Sequence, residues 1–468
     1  MELAAGSHIH LMGICGTAMA SLAGLLKDRG YKVTGSDLNP YPPMSTQLEN
    51  LGINIMKGYK AENLHPRPDF VIVGNVISAN NEEAQELAKL GIPYTSLPKA
   101  MGEFIIESRE SVVVSGTHGK TTTTSMITWV AENQGVKPGF LIGGIPKNFA
   151  QSFKNPAGNY FIIEGDEYDT AFFDKVPKFV HYRPKHVVLT SVEFDHADIY
   201  KDLNAVKEAF ARLMKLIPTD GTLISHADDK NVMELRQLAN CKNSFTYGFG
   251  KADFQAHVLK QDASGVQFEV RFQNEVLGPY QMAITGDYNI LNATATVAMS
   301  KCLGFTQENI KKALESFEGV KRRQEILGEP SGILVIEDFA HHPTAVRETI
   351  KGMRKRYPEK RVFAVFEPRS ATSRRKVFQK DYVEAFKGAH EVLLAKAFDQ
   401  SKLEAENRFS SEELVSDLQK SSVKAQTFEN ADDIVAALKS RAQRGDVIVI
   451  MSNGGFDGIY TKLLKALS

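Results

Sequence analysis

Short apolar runs alternate along this chain with stretches whose apolar residues recur at helical spacing. HIHLMG from His8, ICGTAMASLAGLLKDRG and YKVTGSD read as strand, glycine turn, helix and strand, which is one βαβ unit. DFVIVGN and NEEAQELAKLG continue the alternation and predict a small doubly wound unit over residues 1–107. A second start follows at SVVVSGTHGK, where an apolar strand runs into a glycine loop and a helix. YFIIEGD and HVVLTSVEFDH each place acids just past an apolar run. That is where open parallel sheets display their chemistry, so the reaction centre is expected in this second unit, 108–326. SFTYGFG and VQFEVRF alternate with period two and predict antiparallel strands ahead of a helix starting near Asn289. A third alternation, ILVIEDFAHHP, RVFAVFEPRS, EVLLAKAFD and DVIVIMSNGGFDG, fills 327–468. The expected class is therefore α/β, in three units. A length of 468 residues agrees, at roughly 150 residues per domain.

Composition narrows what such a chain can do. Lys plus Arg and Asp plus Glu both count 56, so no global field favours nucleic acid or an anionic membrane, and neither is an expected partner. Cys15, Cys241 and Cys302 fit no zinc spacing and point to a reducing compartment. Any metal is then expected on oxygen and imidazole. MELAAGSHIHLMG has no uninterrupted apolar run, so neither a signal peptide nor a membrane span is expected. The reading is a soluble cytoplasmic enzyme.

VVVSGTHGKTTTTS carries the strongest chemistry. Gly116 and Gly119 let backbone N–H groups approach phosphates, Lys120 supplies a point charge, and Thr121 offers a hydroxyl to Mg²⁺ at a helix N-terminus. Val114, however, stands where the usual GxxxxGK[ST] loop has its first glycine. Glu164, Asp166, Glu167 and Asp169 follow the next strand and could ligate the Mg²⁺ of a bound nucleotide. EFDHADIY adds Glu193, Asp195, His196 and Asp198 as a second candidate metal cluster. GICGTAM, with Gly13 and Gly16 at the turn and Asp37 about 20 residues on, resembles half a dinucleotide fingerprint and leaves a nicotinamide oxidoreductase open as an alternative. A P-loop ATPase driving assembly or transport is a third possibility. His341 and His342 read as loop polar groups.

Together these motifs resemble the ATP-dependent Mur ligases, which build the peptide stem of peptidoglycan, over essentially the whole chain. GTHGKTTT is similar to the family's short GTxGKT loop, so Val114 matches a family trait. The resemblance implies a Rossmann-like N-terminal domain for a UDP-sugar, a central P-loop ATPase domain, and a Rossmann-like C-terminal domain that binds the incoming peptide and closes over ATP. It implies ATP on Gly116, Thr117, His118, Gly119, Lys120, Thr121 and Thr122, with Asn289 and Asn292 of GDYNILNATA, Arg323 of GVKRRQE and Asp338 beside it. Mg²⁺ would be held by Thr121, Glu164 and His196, and Lys120, Glu164, His196 and Arg323 would be the catalytic set. Gly13, Gly16, Asp37 and Arg369 would touch substrates.

Several members carry a carbamoylated lysine past the metal histidine; here Phe210 falls near that position. The branch without the lysine joins either L-alanine or a ready-made tripeptide to UDP-N-acetylmuramate. YPPMS at 41–45, TAFFDKVPKFVHYRP, DFAHHPTA, EPRS and MSNGGF are more similar to the tripeptide-joining members. The implied reaction is attack of the lactyl carboxylate of UDP-N-acetylmuramate on ATP, giving an acyl phosphate. The amine of L-alanyl-γ-D-glutamyl-meso-diaminopimelate then attacks it and displaces phosphate, in peptidoglycan recycling. Joining L-alanine is the alternative within the family.

Overall fold

The structure, a computed structural model, describes residues 3–40 and 44–468. Tyr41, Pro42 and Pro43 of the YPPMS stretch lie outside the described residues; Met44 and Ser45 open a short helix, Met44–Asn50. Three large sheets succeed one another along the chain, beside a two-stranded ribbon of Asp169–Ala171 and Asp174–Pro177. The first is wholly parallel, with strands in the spatial order Asn54–Lys57, Lys32–Asp37, His8–Met12, Phe70–Val73 and Tyr94–Ser96. His8–Met12 sits centrally, so the chain leaves it first to one side and later to the other. The loops after His8–Met12 and Phe70–Val73 therefore diverge, at the switch point where open parallel sheets place a ligand crevice.

The second sheet has ten strands, and its parallel centre repeats this logic. Glu110–Ser115 lies between Tyr160–Gly165 and Pro184–Leu189, with Gly139–Leu141 beyond the former and Thr222–His226 beyond the latter. These strands are covered on both faces, which explains their unbroken apolar runs. Val112, Val113, Val114, Val187, Val188 and Leu189 are all fully buried. Val114 is the penultimate residue of its strand and pairs with Val188 and Glu164. It belongs to the strand, and the turn proper begins only at Gly116.

The expectation of antiparallel strands holds for VQFEVRF, since Gly265–Phe272 runs antiparallel to Phe254–Asp262 and Glu275–Met282. It fails for SFTYG. Asn243–Gly248 is parallel to Thr222–His226 and to the start of Phe254–Asp262. Alternation reports that one face is buried and says nothing of direction. Direction here follows from the helix Lys230–Leu235, which carries the chain back before the strand begins.

The third sheet runs in the order Glu325–Gly328, Leu334–Asp338, Val447–Met451, Val362–Phe366, Glu391–Ala395 and Lys424–Phe428. Its first strand is antiparallel to Leu334–Asp338 and the others are parallel. The last strand in sequence, Val447–Met451, is inserted between Leu334–Asp338 and Val362–Phe366. The turns DFAHH, EPRS and SNGGF therefore share one end of the sheet.

One apolar core is continuous from the first unit into the second, joining Leu22, Leu25, Phe104 and Ile105 to Phe153, Phe179 and Phe210. Phe210 stacks on Phe179 at 5.9 Å and is fully buried, well inside this packing. Among the described residues, no helix is long and apolar enough to cross a membrane.

Candidate active site

The strand Glu110–Ser115 ends where the central sheet changes winding direction, so its loop faces the loops of both neighbouring strands. Gly116 and Gly119 have φ of +132° and +85°, in the region that favours glycine. A Cβ at Gly119 would lie 2.6 Å from Asn292 Oδ1, so the loop touches the helix Asp287–Cys302 there. The helix Lys120–Asn133 begins immediately after, and its N-terminus carries no side-chain cap. Its first amides and positive dipole end are thus directed at the cavity in front.

That cavity measures about 770 Å³ and lies between the second and third units. Thr117, His118, Gly119, Lys120, Thr121, Thr122, Glu164, His196, Asn289, Asn292, Arg323 and Asp338 line it. Gly116 sits behind them, where its carbonyl accepts from Lys120 Nζ at 2.6 Å. Gly13, Gly16, Asp37 and Arg369 lie elsewhere. Asp37 accepts the Cys15 amide at 2.9 Å, and Gly13 (φ +81°) faces Val76 and Tyr59 at the crevice of the first sheet. Arg369 lies over the Phe398 ring at 3.8 Å, pairs with Glu367 at 3.3 Å and crosses so close to Gly454 that a Cβ there would clash. The EPRS and SNGGF turns therefore meet, but part of the Arg369 charge is already neutralised.

Inside the cavity the charges are interlocked. Lys120 Nζ stands 3.0 Å from Glu167 Oε2, and His196 Nε2 stands 3.0 Å from Glu167 Oε1. Burial works against the Lys120 charge, but Glu167 and Asp166 outweigh it and hold its pKa above the ordinary lysine value. Burial likewise opposes the His196 cation, and Glu167 followed by Asp195 reverses the balance and raises its pKa. Burial also disfavours the charged form of Asp166, yet Lys178 at 2.7 Å, with Lys120, holds its carboxyl down to about 2.

Glu164 behaves differently. The Gly143 amide donates to Oε1 at 2.6 Å and the Thr121 hydroxyl donates to Oε2 at 3.1 Å, but burial dominates and pushes its pKa up. A half-buried carboxylate and a hydroxyl facing it, beside a helix N-terminus, are the hard oxygen donors that Mg²⁺ takes, so the residues present fit that ion. The acids flanking His196 in sequence do not converge on it. Glu193 accepts from Thr344 at 2.6 Å and Asp195 from Thr372 at 2.6 Å, both from the third unit, and the carboxylate His196 meets is Glu167. His196 itself has φ +54°, with its amide directed at Asp195 and Thr372.

The third unit thus grips the loop Glu193–His196 from above. His342 Nε2–H donates to the Phe194 carbonyl at 3.1 Å, so this histidine bridges units besides capping the helix Pro343–Arg356. The guanidinium of Arg323 lies over Phe339 at 4.9 Å. Asp338 accepts the Gln324 and Ala340 amides at 2.9 and 2.8 Å, and burial raises its pKa.

Glu167 and Thr372 are functional candidates that the sequence did not single out. Glu167 was one of four acids after a strand, and only the fold shows which of them faces Lys120. Thr372 meets Asp195 across 177 positions of chain, and no local pattern signals that contact.

A glycine loop and an uncapped helix N-terminus, set at a sheet switch point and covered by a second α/β unit, form a cradle of the kind that can receive phosphates. Residues 8–109 match the Mur ligase family catalytic domain, 114–300 the Mur ligase middle domain, and 322–454 the Mur ligase glutamate ligase domain. The chain belongs to the Mur ligase family.

The chain is 39% identical over 461 residues to the UDP-N-acetylmuramate–L-alanyl-γ-D-glutamyl-meso-2,6-diaminoheptandioate ligase of Escherichia coli (strain K12), covering 98% of each. It is 34% identical over 447 residues to the UDP-N-acetylmuramate–L-alanine ligase of Clostridium tetani (strain Massachusetts / E88), covering 95% of each. Among solved structures, a murein peptide ligase from Psychrobacter arcticus 273-4 superposes with a TM-score of 0.73 at 36% identity, covering 99% of each chain.

Proposed function

We propose that this chain is an ATP-dependent ligase that joins the lactyl carboxylate of UDP-N-acetylmuramate to the amine of L-alanyl-γ-D-glutamyl-meso-diaminopimelate, reusing the peptide in peptidoglycan recycling in the cytoplasm. What supports the ligase most is the convergence of Lys120, Thr121 and Glu164 on one end of the cavity, beneath the third unit. What supports the tripeptide over L-alanine is the higher identity to the tripeptide ligase, 39% against 34%, over nearly the full chain.

In this reading Lys120 and the N-terminus of the helix Lys120–Asn133 receive the phosphates, and Asn289, Asn292, Arg323 and Asp338 surround the rest of the nucleotide. Thr121 and Glu164 would hold Mg²⁺, with His196 and Glu167 at a second position. The ion supplies charge neutralisation of the phosphoryl oxygens. Lys120 adds a fixed cation where negative charge develops, and Arg323 a second one from the junction of the units. The first-sheet crevice at Gly13, Gly16 and Asp37 takes the UDP-sugar. Arg369 and the SNGGF turn take peptide carboxylates, for which the guanidinium would exchange its Glu367 partner. The grip of His342, Thr344 and Thr372 on the loop Glu193–His196 keeps water from the activated carboxylate while the amine arrives.

The test is ADP release on mixing the protein with Mg²⁺, ATP and UDP-N-acetylmuramate, with and without tripeptide. Release that needs both the sugar nucleotide and the amine is expected. Release indifferent to both would contradict the ligase.

A further inference from the structure

On the wall of the same cavity, side chains from three separate loops converge on one point. His118 comes from the phosphate loop, Glu193 from the loop after Pro184–Leu189, and His342 from the turn before Pro343–Arg356. Their ligand atoms all lie within 4.8 Å of one another. Glu193 Oε2 stands 3.6 Å from His118 Nε2 and 3.7 Å from a nitrogen, Nδ1, of His342. Both distances are too long for hydrogen bonds. They are close to the edge of a tetrahedral site, which for metal–ligand bonds of about 2.0–2.2 Å measures roughly 3.3–3.6 Å.

The surroundings hold these atoms as ligands are held. His118 Nε2 is buried without a hydrogen-bond partner. Its backbone is pinned at both ends, the amide donating to Ser191 Oγ at 3.0 Å and the carbonyl accepting from Thr190 Oγ1 at 2.5 Å. Because His342 Nε2–H donates to the Phe194 carbonyl, Nδ1 carries the lone pair. The Thr344 amide approaches that lone pair at 3.3 Å, a long capping bond that an ion would replace. Glu193 is oriented by the Thr344 hydroxyl at 2.6 Å. A carbonyl behind one imidazole and a hydroxyl on the carboxylate are the outer contacts that commonly fix metal ligands.

We propose that His118, Glu193 and His342 form a site for a transition-metal ion of the zinc type, distinct from the oxygen-donor Mg²⁺ position at Thr121 and Glu164. Two imidazoles and one carboxylate suit Zn²⁺ or Co²⁺ far better than Mg²⁺. Since His342 belongs to the third unit and His118 to the phosphate loop, the ion fastens one to the other. This inference does not depend on the ligase reading, because its test reads metal binding and not turnover.

The experiment uses the full chain stripped with a chelator and titrated with Co²⁺, followed by visible d–d absorption, and with Zn²⁺ by calorimetry, both in excess Mg²⁺. One saturable equivalent is expected. Its affinity should fall at least tenfold in His118→Gln and in His342→Asn, the latter keeping a capping side chain, and stay within about twofold in His196→Ala. Glu193→Gln, which retains an acceptor for Thr344, should weaken binding as well. Melting of each variant in chelator identifies any that misfold, and the others then decide. Absence of saturable binding, equal binding in the folded ligand variants, or loss confined to His196→Ala would overturn the site.

Discussion

Lys120 is a half-buried cation that touches a loop carbonyl at 2.6 Å and a carboxylate at 3.0 Å, and its raised pKa keeps it charged at any physiological pH. A fixed charge that meets phosphoryl oxygens is needed most where negative charge builds up in transfer. Lys120→Ala is therefore expected to fold normally and to lose at least about a hundredfold in ligation rate; near-normal turnover in a steady-state assay would contradict its role. Glu164→Gln keeps an oxygen opposite Thr121 but removes the charge, and His196→Ala removes the partner of Glu167. Each should raise the Mg²⁺ concentration needed for half-maximal activity, and an unchanged Mg²⁺ titration in both variants would make these residues structural. Lys120, Thr121 and Glu164 could be picked out from the chain because Glu164 sits at the end of an apolar strand and Lys120 and Thr121 follow the glycine loop after another. The side of Glu167 that faces Lys120 could not, because a run of four acids past a strand does not say which of them turns inward.

The phosphate loop joins a buried strand to a helix in four residues, and that economy is why its conformation is so constrained. Gly119 combines φ of +85° with a Cβ direction blocked at 2.6 Å by Asn292 Oδ1. Gly119→Ala should destabilise the protein by at least about 1 kcal/mol, through a left-handed backbone and a displaced Asn292. Chemical denaturation reads this, and an unchanged midpoint would show that the loop can relax. Central parallel strands such as Glu110–Ser115, Pro184–Leu189 and Val447–Met451 were legible because burial on both faces writes itself as unbroken apolar residues, whereas the short Asn54–Lys57, Tyr94–Ser96 and Lys424–Phe428 carry no such run. Strand direction at SFTYG was not, since a half-buried strand alternates whichever way it runs. The meeting of EPRS with SNGGF was also hidden at this level, as it depends on the last strand entering between two earlier ones.

Across the whole molecule, the third unit is held to the second by the contacts on Glu193–His196 and by a second set at Asp287. Asp287 opens its helix within 3.0 Å of Lys351 and 2.6 Å of Lys355. Burial opposes its charge, but the two lysines outweigh it and depress its pKa. A depressed carboxylate contributes stability above its unfolded value of 3.8 and loses it as pH falls through the folded value. Asp287→Asn should therefore cost at most about 1 kcal/mol at neutral pH, given the half-exposed lysines, and the difference from wild type should vanish in acid below the carboxylate range. Denaturation at several pH values checks this, and a pH-independent difference would rule the ion pairs out as its cause.

The amine substrate expected of this closed assembly is a whole tripeptide. The most direct measurement compares kcat/KM for L-alanyl-γ-D-glutamyl-meso-diaminopimelate and for L-alanine at saturating ATP and UDP-N-acetylmuramate. The tripeptide is expected to be preferred by at least about a hundredfold, on the order of 3 kcal/mol in transition-state binding. A preference for L-alanine would contradict it and place the chain among the ligases that start a new peptide stem.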